Sequence, residues 1–361
     1  MLRRSIRWLH LWVGLALSLL LFVFALTGGA LVYKEAYWRL VYPELRGPAP
    51  ALTPADHAAA AAAAQRAFGD ALGSLKLPEP GVNAYHAYLE EGEAFLAADD
   101  HRVIDRWRPT ERAMALLFDL HAHLMAGETG ERVGGVIGLL GALLAVSGIY
   151  LWWPSRRRFS LRGSVAPRSL ARHDLIAWHR DMGLLWSPLL LLLLLTAGGI
   201  VFYEGAGQVL RLVLSDGPPP ADVLPPTAAA GALSAGVYAR AAGVFPDARV
   251  VFYYPPADGE SAHRFRLRRD CELHPNGRSY VTVDGAGTVL EAVDACALGA
   301  ATRAQHAIYP LHAAKATGAL YKVLVFGASL VLAALSLSGA LAYTRKLLRP
   351  GAAASAARDD Q

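Results

Sequence analysis

Four apolar runs without a charged residue restrict this chain more than any other feature. Residues 11–33, 133–153, 182–203 and 323–343 each exceed twenty positions without Asp, Glu, Lys or Arg. At about 1.5 Å per helical residue, such a run crosses about 30 Å of hydrocarbon. The whole chain is 54% hydrophobic and only 18% charged, a balance that four membrane-spanning helices explain. The first run is longer than the roughly 7–15 apolar residues of a secretory leader, and no small-x-small cleavage site follows it. It is expected to persist as a helix.

Basic residues set the expected orientation, because short loops rich in Lys and Arg stay in the cytoplasm. Arg3, Arg4 and Arg7 precede the first run. Arg156, Arg157, Arg158, Arg162, Arg168, Arg172 and Arg180 crowd the second connection, and Arg345, Lys346 and Arg349 follow the last run. Both termini and the middle loop are therefore expected inside, and the two long connections outside. The resulting division is a cytoplasmic start and first span (1–33), a first outside domain (34–132), a second span (133–153), a basic loop (154–181), a third span (182–203), a second outside domain (204–322), a fourth span (323–343) and a tail (344–361). The net charge of +5 reflects this asymmetry and gives no reason to expect nucleic acid as a partner. The two cysteines, Cys271 and Cys296, share the second outside segment, where oxidising conditions favour a disulfide between them.

The spacings carry a repeat. His10 is followed by Gly14, Thr27-Gly28-Gly29 and Glu35; His179 is followed at the same offsets by Gly183, Thr196-Ala197-Gly198 and Glu204. A second register links His121 to Gly127 and Ser147-Gly148, and His312 to Gly318 and Ser338-Gly339. The chain therefore reads as a tandem duplication of helix, outside domain, helix. The Thr-Gly and Ser-Gly pairs read first as packing notches, since small residues let membrane helices approach closely. They also leave room for a planar cofactor.

The repeat singles out His10 and His179 at the inner face and His121 and His312 at the outer face. One histidine near a membrane boundary is ordinarily an interfacial residue; four at equivalent positions point to function. Two neutral imidazoles facing each other across a helical bundle can ligate haem iron axially. Zinc suits the set less well, since it wants three or four ligands, commonly with Cys or a carboxylate. The inner face adds only His173, with Asp174 and Asp181 nearby in sequence. At the outer face His123 and His306 are alternates, although alanines hold the matching positions in the other repeat. His10 and Thr27 are separated by about 25 Å of helix, so haem at both faces would make an electron path. Arg3, Arg7 and Arg180 are candidates for haem propionates.

In these motifs the chain resembles the PepSY-associated transmembrane helix family, which includes bacterial inner-membrane siderophore-iron reductases of the ferrioxamine type. The resemblance rests on RWLHLWVGL with ALTGG, LFDLHAHLMAGETGERVGGVIGLL with SGIYLWWPSRR, WHRDMGLLWSPLL with LTAGG, and YPLHAAKATG with LSLSG. It implies a polytopic α-helical membrane protein, with a four-helix bundle and two small α+β PepSY-like periplasmic domains. It also implies haem b, two copies, held by His10, His179, His121 and His312. The pair His121-Ala-His123 departs from a plain one-histidine motif and leaves the outer ligand open. Outside the membrane, residues 55–72 read as helix, while HRVIDRW and GRSYVTVDGAGTVLEAVDA read as strands with a hairpin at Asp284-Gly285. The proline-rich stretch 218–226 reads as a spacer. Tyr253, Tyr254 and the arginines from Arg264 to Arg269 are candidates for ligand contact, against a plain solvated strand face.

Together these features favour a transmembrane haem reductase that delivers electrons to a periplasmic ferric siderophore and releases Fe(II). The inner loop is too short for a flavin or nicotinamide domain and has no G-x-G-x-x-G motif, so a quinol or a flavoprotein must be the donor. A membrane scaffold or sensor with partner-binding PepSY domains, with or without haem, is the second class, and a siderophore permease is the third. Only Pro188 interrupts a span, whereas permeases commonly break helices at mid-membrane.

Overall fold

The computed structural model describes residues 1–48, 51–153, 166–216, 231–256, 262–315 and 318–347. Arg156, Arg157, Arg158, Arg162 and Arg349, and the proline stretch 218–226, lie outside the described residues. The first half runs α1 (Leu2–Leu31), α2 (Lys34–Val41), α3 (Pro54–Phe68), β1 (Leu72–Lys76), β2 (Ala84–Leu89), β3 (Gly92–Ala97), β4 (Val103–Trp107), α4 (Ala113–His123) and α5 (Gly127–Trp152). The second half has the same order: α6 (Arg172–Val201), α7 (Tyr203–Leu214), α8 (Ala235–Ala242), β5 (Arg249–Tyr254), β6 (Ala262–Arg268), β7 (Ser279–Asp284), β8 (Val289–Val293), α9 (Ala300–His312) and α10 (Ala319–Leu347). These elements form two compact units.

The helix unit holds α1, α5, α6 and α10, together with the end of α4 from His121. Those four are the helices long and apolar enough to cross a membrane among the described residues, and they hold all but the last one or two residues of the first three uncharged runs and the whole of the fourth. α6 begins at Arg172, well before the uncharged run. Hydropathy marks where lipid begins, whereas backbone hydrogen bonding continues through the polar first turns. α5 and α6 approach through glycine: a Cβ on Gly198 would lie 2.6 Å from Leu139 Cδ2, and one on Gly138 3.1 Å from the Leu194 carbonyl. Without a hydrophobic drive in lipid, such close backbone contact supplies the packing. Outward-facing Leu19 and Leu143 remain 70% and 64% exposed, a belt suited to hydrocarbon and unsuited to water.

The sheet unit is a single eight-stranded antiparallel sheet in the order β4-β3-β2-β1-β5-β6-β7-β8. Two small separate domains were expected here, and the structure joins their strands instead. β1 pairs with β5 through Leu75 opposite Tyr253 and Lys76 opposite Phe252, and the Leu77 N–H continues the ladder to the Val251 carbonyl at 2.9 Å. Pairing removes two edges whose backbone groups would otherwise lack partners. One face of the sheet, with Leu75, Ala87, Leu96, Phe265, Leu267 and Val281, packs on Ala60, Ala61 and Ala64 of α3 and on Val237, Tyr238 and Ala241 of α8. The alanine face lets α3 lie close to the strands, and a capping box between Thr53 and Asp56, with Pro54 following the cap, fixes where it starts. The opposite face carries Lys, Arg, Glu, His and aromatic side chains.

Candidate functional site

Three histidines of the helix unit, His10, His121 and His179, share one protonation pattern. His10 Nδ1 lies 2.8 Å from Ser147 Oγ, and that hydroxyl donates its own hydrogen to the Leu144 carbonyl at 2.9 Å. A hydroxyl has one hydrogen, so it accepts from His10. The proton therefore sits on Nδ1, and Nε2 keeps its lone pair. His179 repeats this arrangement: Nδ1 is 3.1 Å from both Ser338 Oγ and the Leu335 carbonyl, and Ser338 donates to the same carbonyl at 3.0 Å. A carbonyl can only accept, which again places the proton on Nδ1. For His121 the partner is Thr27, 3.0 Å away, whose hydroxyl donates to the Val23 carbonyl at 2.7 Å.

Small residues complete each seat. A Cβ on Gly148 would meet His10 Cε1 at 3.5 Å, and one on Gly339 would meet His179 Cε1 at 3.5 Å. At Gly28 the approach is closer: a Cβ would stand 2.7 Å from His121 Cε1. Phe24 contacts the same ring edge-on, with centroids 5.7 Å apart. The Ser-Gly and Thr-Gly pairs are thus histidine seats as well as packing notches. Their constant offsets were the available signal; which histidine each one faces was not.

His10 and His179 come together with ring centroids 6.4 Å apart and planes at 89°. With imidazole–metal bonds of about 2 Å, two rings on opposite sides of one metal ion need about this separation. The residues fit haem: two imidazoles with free Nε2, each oriented from behind by a fixed partner. The indole N–H of Trp178, adjacent to His179, is buried without an acceptor among the described residues. Of the arginines proposed for propionates, Arg180 is tied to Asp181 by bonds of 2.7 and 2.8 Å, Arg3 donates to the Leu151 carbonyl at 3.2 Å, and Arg7 is exposed.

The remaining candidates lie on separate elements. His312 is the last residue of α9, in the sheet unit. His123 ends α4, where its carbonyl accepts the Ala126 N–H at 2.8 Å. His306 sits in α9, half-buried. His173 is exposed, with Nε2 3.4 Å from Asp174. Among the described residues no three of His, Cys, Asp and Glu gather as a metal site, so the ligand set that zinc wants is not assembled there. Cys271 and Cys296 form a disulfide with Cα atoms 6.1 Å apart. Tyr253 and Tyr254 face opposite sides of the sheet: Tyr253 is buried in the core, while Tyr254 stacks with Phe252 on the polar face, centroids 5.9 Å apart.

Four apolar helices enclosing paired imidazoles, with a large antiparallel sheet in a second unit, define a multi-pass membrane protein. The family described as the PepSY-associated TM region matches residues 7–346, nearly the whole chain, and the chain belongs to that family. Comparison with curated proteins gives no match.

Proposed function

We propose that this chain is a haem-bearing reductase of a bacterial inner membrane, which passes electrons across the bilayer to a periplasmic ferric siderophore and so releases Fe(II). The observation that supports the reading is the His10–His179 pair, with rings 6.4 Å apart and each Nδ1 proton committed to a serine hydroxyl. Two imidazoles prepared in this way would hold one haem b. Sequence register alone assigns a second haem to His121 and His312, with His123 and His306 as alternates. It also supports reading the two halves as a tandem duplication. Haem would supply one-electron transfer.

The net reaction takes one electron per ferric ion and needs no catalytic acid or base. Hard oxygen chelators hold Fe(III) far more tightly than Fe(II), so reduction frees the metal. A quinol would reduce two ferric chelates and release two protons; a flavoprotein is the other donor class. Positive-inside asymmetry puts both termini in the cytoplasm, and the Cys271–Cys296 disulfide suits an oxidising outer side.

The test is a reduced-minus-oxidised absorbance spectrum of the detergent-purified chain, with haem quantified per chain, for wild type, His10→Ala, His179→Ala and His312→Ala. The expected result is two low-spin b-type haems, one lost in either inner variant and the other in His312→Ala. Reduced wild type should then transfer electrons to a ferric siderophore, read as trapped Fe(II). Colourless protein after expression with ample haem would overturn the reading and leave a scaffold, sensor or permease.

A further inference from the structure

The polar face of the sheet carries a cationic cluster whose side chains form no ion pair among the described residues, the nearby Glu272 carboxylate being spent on the Arg278 backbone N–H and the Ser279 hydroxyl. In β6, Phe265 and Leu267 fill the core while Arg264 and Arg266 take the other face. Register sets Arg264 beside Tyr254 and Thr282, and Arg266 beside Phe252 and Tyr280. The Arg264 guanidinium lies 4.5 Å from the centre of the Tyr280 ring, and that of Arg266 lies 5.8 Å from it. Arg266 Nε donates to the Gly277 carbonyl at 2.8 Å, which holds its fork beside the next residue, Arg278. Arg278 Nε is buried without a hydrogen-bond partner among the described residues.

Nearby Arg269 shows the ordinary arrangement, with carboxylates of Asp247 at 3.0 Å and Asp294 at 2.7 Å. Among the described residues no carboxylate lies within ion-pair distance of Arg264, Arg266 or Arg278. Burial, and then the charges of Arg278 and Arg266, push the His274 imidazole down to about 2 and His306 down to about 4. Both rings are therefore neutral around the cluster, and His274 stacks on Tyr309 with centroids 5.2 Å apart. Partly buried guanidinium groups without an acid are costly unless an anion joins them. Their planar forks match carboxylates in two-bond geometry, and an aromatic platform favours a ligand with flat groups.

We propose that Arg264, Arg266 and Arg278, with Tyr280 as platform, bind a carboxylate-bearing anion, and that this anion is the ferric chelate. The second half of that statement rests on the reductase reading above and makes the preferred substrate class anionic. The probe is gallium(III) citrate, which is redox-inert, set against a net-cationic gallium hydroxamate. Both are titrated calorimetrically into the purified full chain at low and high salt. The expected result is salt-sensitive binding of the anionic complex, about tenfold weaker in exposed Arg264→Gln and in Arg266→Gln, with partial recovery in Arg266→Lys and weak, arginine-independent binding of the cationic complex. Equal affinity for the two complexes, or arginine variants that bind like wild type, would overturn the proposal. Displacement of citrate by phosphatidylglycerol in the same micelles would overturn it in favour of a lipid headgroup. Haem content and reducibility, read on the same samples, separate the two readings. Normal haem without anion binding sinks this site alone, whereas anion binding by a colourless chain keeps the anion site and sinks the reductase.

Discussion

In the helix unit, His10, His121 and His179 each commit the Nδ1 proton to a hydroxyl that has already spent its own hydrogen on a backbone carbonyl. Two histidines of the sheet unit, His274 and His86, differ. His274 Nδ1 receives the Asn276 N–H at 3.1 Å, so its neutral ring carries the proton on Nε2. His86 directs Nε2 at Glu93, 2.7 Å away, and its burial against Trp38 and Phe95 leaves no approach for a metal. The same side chain thus serves two ends. His86 spends its outer nitrogen on the protein, whereas His10 and His179, oriented from behind through Nδ1, leave Nε2 for the haem proposed above.

The strongest way to break this distinction is to remove rings from each class. His10→Ala or His179→Ala should lose one haem per chain, whereas His86→Gln and His274→Phe should lose none, as read by pyridine haemochrome quantification. Haem loss from His274→Phe would collapse the division. A step smaller, Ser147→Ala and Ser338→Ala leave the ligands but remove the groups that fix them. Partners of this kind are worth about 10–100-fold in metal affinity, so haemin titration of the variants should weaken by that order, and Ser338→Thr, which keeps a hydroxyl, should recover most of it. Unchanged affinity in both alanine variants would mean that the hydroxyls only pack.

The glycine seats sharpen the comparison within the helix unit, because the change should differ in sign. In Gly28→Ala the new Cβ stands 2.7 Å from His121 Cε1, too close for the ring to stay, and crowding of this kind costs about 1–3 kcal/mol. At Gly148 the corresponding distance to His10 is 3.5 Å, an ordinary contact, and Gly→Ala within a helix gains about 1 kcal/mol. Gly28→Ala should therefore lower the midpoint of thermal unfolding in detergent while Gly148→Ala holds or raises it. Equal shifts in the same direction would remove Gly28 as part of the His121 seat.

Much of the helix unit was legible because a run of twenty uncharged residues has few destinations other than a bilayer. The repeat offsets also singled out Ser147-Gly148 and Ser338-Gly339, the pairs that stand against His10 and His179. What they could not supply is which helix faces which: His10 meets a serine 137 residues away, and His179 one 159 residues away. Contacts at that range are set by packing, which leaves no periodic trace. The sheet unit shows the same limit. Alternation in AHRFRLR tells that Arg264 and Arg266 share a face, yet nothing in β1 or β5 announces that they pair and merge two segments into one sheet. Tyr253 and Tyr254 were read as one candidate cluster, although neighbours in a strand must face opposite ways. Cys271 and Cys296 were legible only through their compartment, since spacing alone does not set the geometry that a disulfide needs.

A change of slope, not of fold or ligand, tests the sheet unit's side of the comparison through pH. Burial, reinforced by Arg278 and Arg266, holds folded His274 at about 2, against an ordinary value near 6.5. Between those values the unfolded chain binds the proton and the folded chain does not, so stability rises with pH across the window. The contribution is complete above about pH 6.5 and is lost progressively as pH falls. At pH 5 the deficit from this ring is about 2 kcal/mol. Urea unfolding of the purified chain, followed by tryptophan fluorescence between pH 7.5 and 5, should therefore show a midpoint that falls with pH. In His274→Phe, which keeps a ring against Tyr309, that slope should be shallower. In Arg278→Gln it should be shallower too, because removing the neighbouring charge lets the folded imidazole accept a proton nearer its ordinary value. If both variants keep the wild-type slope, His274 is not held neutral by this cluster. The fall with pH would then belong to other groups, and the contrast with His10 and His179 would rest on hydrogen-bond geometry alone.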